Sequence, residues 1–215
     1  MTALPVLRPR ADTGVQADTQ GERILDLLRY EARPHTIRLH RHERLARFVS
    51  RADYAETIKL LLGFHRPIER WLSNALAAHS FELDLVRRAK VPLLMHDLTA
   101  LGIRSPALRY HPAPLRTGAP YAMGWLYGIE TISLGGIVMA RRAFDMLGIG
   151  PNDGGAFFYG YGGAAPEAWR TFTAVLVHTV ATDADRAAVL DGTADMFEAL
   201  YDWLSLETPM LRAAS

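Results

Sequence analysis

Residues 121–147 read YAMGWLYGIETISLGGIVMARRAFDML, an apolar stretch with glycine at positions 124, 128, 135 and 136. Its apolar residues recur at helical spacing and predict one long helix. Glycine inside a helix costs about 0.5–1 kcal/mol relative to alanine, so four glycines need a structural reason. Two reasons are open: close packing of a neighbouring helix, or a flat ligand lying directly on the helix backbone. The adjacent pair Gly135 and Gly136 also permits a kink at that point.

The other segments are helical in their periodicity too, and no segment alternates as a strand does. An all-α bundle is therefore expected. Helices are predicted over residues 23–48 with a disturbance at Pro34, and over residues 53–78, 83–101, 121–147, 166–179 and 183–204, the last with Asp183 as its N-cap. The proline-rich residues 103–118 predict an irregular connection, and residues 148–165 predict a glycine-rich loop that carries aromatic side chains.

The composition of the 215-residue chain excludes several classes of function. It contains no cysteine, which excludes disulfides and thiolate metal sites and fits a cytoplasmic location. A net charge of +1 gives no basic surface for nucleic acid. No apolar run approaches the roughly 20 residues of a membrane helix, so no membrane association is expected. One domain is expected over residues 22–207, between a disordered arm at 1–21 and a flexible tail at 208–215.

Three histidines, His35, His40 and His42, form a cluster in the first predicted helix. Side chains two positions apart point to different sides of a helix, so a zinc site shared by His40 and His42 is disfavoured. One histidine acting alone suits haem iron better, because the porphyrin supplies the other nitrogen ligands. Arg33 and Thr36 lie seven and four residues before His40 and share its helix face. A cation at that spacing is well placed to bind a haem propionate.

Five motifs between about residues 28 and 204 resemble those of the biliverdin-producing haem oxygenases, and most of all the bacterial branch associated with bacteriophytochromes. They are, in order, the spacing Arg33-x-x-Thr36-x-x-x-His40, the segment Asp97-Leu98-Thr99-Ala100-Leu101-Gly102, the segment from Tyr127 to Gly135-Gly136, the aromatic residues 157–162 followed by Trp169 and Phe172, and residues 197–204 with Trp203 and Leu204.

This resemblance implies a haem-oxygenase-like helical bundle with haem b between two helices. The proximal helix carries His40 as the iron ligand, and the distal helix is kinked at Gly135 and Gly136. The implied activity is oxidative cleavage of haem, which is both substrate and cofactor, by O2 to biliverdin, carbon monoxide and ferrous iron. Electrons come from an external ferredoxin, flavodoxin or reductase, and an apo-bacteriophytochrome is an implied recipient of biliverdin.

The resemblance also assigns the site residues one by one. It implies catalytic roles for Ser133, Gly135 and Gly136, and haem contacts for Arg33, Thr36, His40, Thr131, Ile132, Phe158 and Arg170.

Three positions depart from the family pattern. The family usually has a glutamate four residues after the proximal histidine, where this chain has Arg44, with the acid one position earlier at Glu43. Thr131 replaces the first distal glycine. Ile132 replaces a polar residue that helps to hold a proton-donating water network. Ser133 offers a hydroxyl, but a shift of one residue rotates a helical side chain by about 100°.

These departures keep a second function open, a haem-binding carrier, sensor or partner without turnover. A third candidate keeps the bundle but uses a di-iron centre or binds a small organic substrate. Di-iron bundles need Glu-x-x-His motifs, and the sequence contains none. Glu130, a carboxylate within an apolar helix, is expected to belong to a structural network rather than to act as a catalytic acid.

Overall fold

The computed structural model describes residues 13–79 and 83–206, with side chains from residue 21 onward. Every regular element in these ranges is helical, which confirms the all-α prediction. The helices are α1 (Thr13–His40), α2 (Glu43–Ala46), α3 (Arg51–Ala75), α4 (Leu85–Arg88), α5 (Val91–Ala100), α6 (Ala119–Leu147), α7 (Ala156–Tyr159), α8 (Ala165–Thr179) and α9 (Asp183–Leu204). Short helical turns also occur at residues 77–79, 151–155 and 162–164.

Helix α1 begins earlier than the sequence suggested. It starts at Thr13, so the part of the predicted disordered arm that the structure describes is helical. The helix continues through Pro34 and ends at His40, so the proline does not divide it. Residues 1–12 and the predicted tail at 208–215 lie outside the described residues, and the domain bounds stay a prediction.

The helix predicted over residues 83–101 is two helices, α4 and α5. The break lies at Ala89 and Lys90, where the backbone N–H groups of Lys90 and Val91 donate to Glu69 Oε1 at 2.6 and 3.0 Å. Pro92 stands in the first turn of α5, where its missing N–H costs no helical hydrogen bond. A side chain from α3 thus replaces the hydrogen bonds that a continuous helix would have made.

Two further predictions are corrected near the end of the chain. The predicted loop 148–165 contains the turn at residues 151–155 and helix α7. The N-cap of α9 is Thr182, not Asp183. Thr182 Oγ1 accepts from the backbone N–H of Asp185 at 3.1 Å, and Asp185 Oδ2 accepts from the backbone N–H of Thr182 at 2.9 Å. This reciprocal capping box fixes the start of α9.

The core is built around the crossing of α6 and α9. A Cβ atom on Gly124 would collide with the carbonyl oxygen of Val189, and one on Gly192 would collide with that of Tyr121. A Cβ atom on Gly128 would strike the end of Met196. Glycine at these positions therefore lets the two backbones touch, which confirms the packing explanation for Gly124 and Gly128.

Helix α6 changes character along its length. Residues 121–130 are all buried, whereas residues 131–135 are half-buried and Ile137 and Val138 are exposed. By length and composition α6 would pass as a membrane span, which the count of uninterrupted apolar residues did not indicate. However, 61% of its apolar window is buried inside the fold, as in the core helix of a soluble protein. It runs unbroken through Gly135 and Gly136, and the kink stays a prediction.

Candidate functional site

His40 and Gly135 face each other across the gap between α1 and α6. A Cβ atom on Gly135 would lie 3.3 Å from His40 Nε2 and 3.4 Å from Cε1, and no other heavy atom from outside the helix lies within 4 Å of it. The imidazole at the end of α1 therefore points at a stretch of α6 that has no side chain. The structure brings these two predicted residues together.

The surroundings of His40 lower its pKa and so favour the neutral imidazole. Burial lowers its pKa from the usual 6.5, and the positive charge of Arg142 lowers it further. Only a neutral imidazole has a free nitrogen lone pair for a metal ion. The direction of this shift is the one that favours metal binding by His40.

The two neighbouring histidines have structural contacts instead. His42 is buried, its Nε2 lies 3.0 Å from Ser205 Oγ, and its Nδ1 accepts from the backbone N–H of Arg44 at 3.3 Å. His35 stacks on Phe197 of α9 with ring centroids 5.7 Å apart. The two rings pack α1 and the residues just after it against α9. Of the three histidines, His40 is therefore the one that faces α6.

The family pattern has a glutamate four residues after the proximal histidine, and neither Glu43 nor Arg44 takes its place beside the His40 imidazole. Glu43 is exposed and makes no hydrogen bond to His40, and its charge acts on His42. Arg44 reaches the other way, with Nε donating to the carbonyl oxygen of Leu204 at 2.8 Å. The group that does contact His40 is Arg142 of α6, whose Nη1 lies 3.3 Å from the His40 carbonyl oxygen. The sequence alone did not single out Arg142, because the adjacent Arg141 is the same residue type and nothing in the sequence shows which of the two reaches His40.

Thr131 lies one helical turn before Gly135 on the same face of α6. It is half-buried, and its Oγ1 is buried without a hydrogen-bond partner by distance and angle, although it lies close enough to the Tyr127 hydroxyl to affect the pKa of that tyrosine. Ser133 Oγ instead donates to the carbonyl oxygen of Ile129 at 2.9 Å, and Ile132 packs against the core. The hydroxyl on the Gly135 face that is not bonded to its own helix backbone is therefore that of Thr131.

Gly136 packs against protein rather than against the imidazole. A Cβ atom there would lie 2.6 Å from the carbonyl oxygen of Phe158. The ring of Phe158 is buried beside Phe48 and Tyr54, with centroids 6.2 Å from each. The glycine pair therefore has two tasks, since Gly135 faces His40 and Gly136 admits the backbone of α7. A haem contact by Phe158 stays a prediction.

Asp97 of α5 holds α7 in place under Gly136. Its Oδ1 and Oδ2 accept the backbone N–H groups of Ala156 and Phe157 at 2.7 and 2.8 Å. The Tyr54 hydroxyl donates to the carbonyl oxygen of Gly154 at 2.9 Å. The Asp97 motif that the sequence offered only as a family resemblance thus supports the wall of the site.

The other predicted haem contacts lie at the surface. Arg33 is exposed, and Thr36 is half-buried with Oγ1 donating to the carbonyl oxygen of Ala32 at 2.9 Å. Arg170 is exposed and forms an ion pair with Glu167 on its own helix. None of these side chains lies within 4 Å of a Cβ atom placed on Gly135, and their roles toward haem stay predictions.

Glu130 belongs to a buried network of charges. Its carboxylate accepts from Arg88 Nη1 at 3.1 Å, from the Tyr161 hydroxyl at 2.7 Å and from Lys90 Nζ at 3.5 Å. Each of its oxygens is thus hydrogen-bonded to a buried cation or hydroxyl. Elsewhere in the described ranges, no three His, Asp or Glu side chains come together as a metal-binding group, so the di-iron candidate has no ligand set there.

Comparison with known proteins identifies the family of this chain. The chain is 31% identical over 159 residues to a haem oxygenase of Xanthomonas campestris pv. campestris, an alignment that covers 72% of this chain and 90% of that protein. Its fold is similar to that of the haem oxygenase of Neisseria meningitidis in its NO- and CO-bound crystal structures, with a TM-score of 0.71, 20% identity, and coverage of 86% and 94% of the two chains. No protein-family model matches the sequence. With its identity to the Xanthomonas protein and the facing of His40 and Gly135, the chain belongs to the haem oxygenase family.

Proposed function

We propose that this haem oxygenase binds haem b between α1 and α6, with His40 Nε2 as the proximal ligand of the iron. The observation that carries the proposal is the imidazole of His40 aimed at Gly135, a position of α6 with no side chain, and the lowered pKa of His40 supports it. Bound haem supplies the iron at which O2 is reduced, and the ring itself is cleaved to biliverdin, carbon monoxide and ferrous iron. The chain supplies the ligand, the two walls and the polar groups around the ring.

The chemistry of the residues fits haem, but the two walls have to separate to admit it. A flat ring has a contact thickness of about 3.5 Å. A Cβ atom placed on Gly135 would lie only 3.3 Å from His40 Nε2, so the two helices leave no space for a ring between them. Insertion of haem therefore moves the end of α1 and the second half of α6 apart by about that thickness.

On the distal side, Thr131 is the residue that offers a hydroxyl to the site. Its Oγ1 is buried on the face that holds Gly135 and makes no hydrogen bond to the backbone of its own helix, so it can also pair with a ligand or a water on that face. Thr131 then performs the task for which relatives use the next residue, occupied here by Ile132. Its role is to hold a water or to donate a proton on the distal side of the ring.

Electrons for the reaction come from an external donor, a ferredoxin, flavodoxin or reductase, as the family resemblance implies. The chain acts in the cytoplasm, where its lack of cysteine fits a reducing environment. An apo-bacteriophytochrome is the proposed recipient of the biliverdin, in line with the bacterial branch that the sequence resembles.

The test is a titration of the purified protein with haemin, followed by addition of a reductant in air. We expect a shifted Soret band on binding, and then its loss as a biliverdin band grows. His40→Ala should abolish the ligation spectrum, whereas the matched variant His35→Ala should retain it. Absence of any Soret shift in the wild type would overturn haem binding, and a stable shifted band without biliverdin would overturn turnover.

The role of Thr131 has its own test. Thr131→Val removes the hydroxyl at nearly constant volume, so haemin affinity should stay the same while the rate of biliverdin formation falls by about tenfold or more. Thr179→Val is the control, because its hydroxyl donates to the carbonyl oxygen of Val175 in its own helix and no haem contact is predicted for it. Equal turnover by Thr131→Val and the wild type would exclude this role.

A further inference from the structure

The end of α1 leaves main-chain carbonyl groups without helical partners, as every helix end does. His40 is the last residue of α1, and its carbonyl oxygen receives Arg142 Nη1 at 3.3 Å. The same Nη1 atom lies 3.0 Å from the carbonyl oxygen of Leu45 in α2. One guanidinium therefore caps the ends of two successive helices, and a cation is favourable at a helix C-terminus.

Arg142 reaches this place from the opposite wall of the site. It follows Gly135 by seven residues, which is two helical turns, so the two residues share a face of α6. Its Nη1 also lies 3.5 Å from Met139 Sδ, a contact that limits the rotamers of the side chain. The face of α6 that lies opposite the His40 imidazole thus also carries Arg142, which binds the His40 carbonyl oxygen.

Among the described residues, Arg142 makes the side-chain hydrogen bond to His40, and neither residue at the family's carboxylate position makes one. Glu43 is exposed and does not bond to His40, and Arg44 donates to the end of α9. In the family pattern a glutamate stands near the imidazole, and this chain lacks it at that position. Another group therefore has to fix the position of the His40 imidazole. His40 is the last residue of α1, and helix ends fray, so the imidazole would move with the helix end if the main chain of His40 were not held.

We propose that Arg142 is the positioning residue of the proximal ligand: its guanidinium, anchored on the distal helix, fixes the His40 main chain and thereby the direction of the imidazole. This inference rests on the proposed function of His40. A guanidinium suits the task because its planar donors can serve two carbonyl oxygens at once, whereas an ammonium acts as a point charge.

The test compares Arg142→Met and Arg142→Lys with the matched variant Arg141→Met. Arg141 is the adjacent residue, and its side chain is 85% exposed and forms an ion pair with Asp145 of its own helix. Arg141→Met therefore controls for the loss of one charge from α6. For each protein we would measure haemin affinity, the Soret and electron paramagnetic resonance spectra of the ferric complex, and the iron–histidine stretching band of the ferrous complex. Thermal unfolding of the haem-free protein reports any loss of fold.

Arg142→Met should weaken haemin binding by about tenfold, the factor for one lost charge-assisted hydrogen bond, and should broaden or shift the iron–histidine band. Arg142→Lys should recover part of both effects, and Arg141→Met should match the wild type. Should Arg142→Met fail to fold, Arg142→Lys alone decides, because a spectrum equal to that of the wild type contradicts the proposal. Lowered thermal stability with unchanged affinity and iron–histidine band overturns it as well, and shows a purely structural role.

Failure of this inference is distinct from failure of the proposed function. If His40→Ala leaves the ligation spectrum intact, the ligand assignment itself is wrong. If His40→Ala abolishes the spectrum while Arg142→Met and Arg141→Met behave alike, the ligand stands and the positioning role is rejected.

Discussion

Arg44 Nε donates a hydrogen bond to the carbonyl oxygen of Leu204 at 2.8 Å, and its Nη2 donates to that of Leu206 at 3.2 Å. Leu204 is the last residue of α9, where final carbonyl groups lack helical partners. The arginine therefore ties the segment after α1 to the end of α9. A position at which relatives have a glutamate serves the fold in this protein.

Replacing Arg44 should affect stability and leave haem binding unchanged. Arg44→Ala should lower the free energy of unfolding by about 2 kcal/mol, because two carbonyl groups lose a charged donor. Arg44→Glu should lower it at least as much, since a carboxylate cannot donate to a carbonyl oxygen. Urea unfolding and haemin titration measure the two effects. A gain in haemin affinity in Arg44→Glu would show that this segment works as it does in relatives.

The two adjacent glycines of α6 should respond differently to the same substitution. Gly135→Ala places a methyl group 3.3 Å from His40 Nε2, in the path of the ring, so haemin binding should weaken by tenfold or more while the fold gains up to about 1 kcal/mol. Gly136→Ala places a methyl 2.6 Å from the carbonyl oxygen of Phe158, so it should destabilise the fold by about 1–3 kcal/mol. Similar effects of both variants would contradict the division of tasks.

Glu130 should be essential to stability. Glu130→Gln leaves Arg88 and Lys90 buried without their carboxylate, and breaking a buried ion pair in this way costs about 3 kcal/mol or more. Glu167→Gln, at an exposed ion pair on α8, is the control and should cost less than about 1 kcal/mol. Denaturant unfolding at pH 7 compares them. A small effect at Glu130 would mean that the network is open to water.

His65 should make the protein sensitive to acid. Burial, assisted by the charge of Lys90, lowers its pKa from 6.5 to about 3. The unfolded chain therefore binds a proton below pH 6.5 that the folded chain refuses, and stability falls by about 1.4 kcal/mol per pH unit between about pH 6 and pH 3. His65→Gln should lose this slope, measured by urea unfolding across that range. An unchanged slope would show that His65 accepts a proton in the fold.

Asp97 should have the opposite effect to His65, because its contribution to stability falls as the pH rises. Burial raises its pKa from 3.8 to about 6, against the lowering effect of the hydrogen bonds from Phe157 and Ala156. The folded state thus favours the protonated carboxyl, whose contribution is complete below about pH 4 and is lost as pH rises through about 6. Relative to Asp97→Asn, wild-type stability should fall over that interval. A rise would mean that the two backbone donors outweigh burial.

Much of the fold could be predicted from the sequence, because helical periodicity and burial are local properties of the chain. The long helix at residues 121–147 was predicted nearly to its ends, since Gly148 adopts the left-handed conformation that ends α6, with φ 66°. His40 was distinguished from His35 and His42 by its spacing from Arg33 and Thr36 and by the family resemblance. The structure then placed it against Gly135.

The supporting residues could not be predicted, because a long side chain reaches a partner that only the tertiary fold defines. Arg142 and Arg141 are equivalent in the sequence, yet one contacts His40 and the other is exposed. Glycine is equally ambiguous. Gly128 and Gly135 both lie in an apolar helix, and only the position of the neighbouring helix shows that the first packs on Met196 and the second on an imidazole.

The contact of backbones at Gly124 and Gly192 has a kinetic consequence. It clamps the first half of α6 to α9, so any widening of the haem cleft falls to the half-exposed second half and to the end of α1. If haem binds at the proposed site, its entry requires these two segments to move apart. Haem should associate at a rate that levels off at high haem concentration, set by how often the protein opens rather than by how often the two molecules collide.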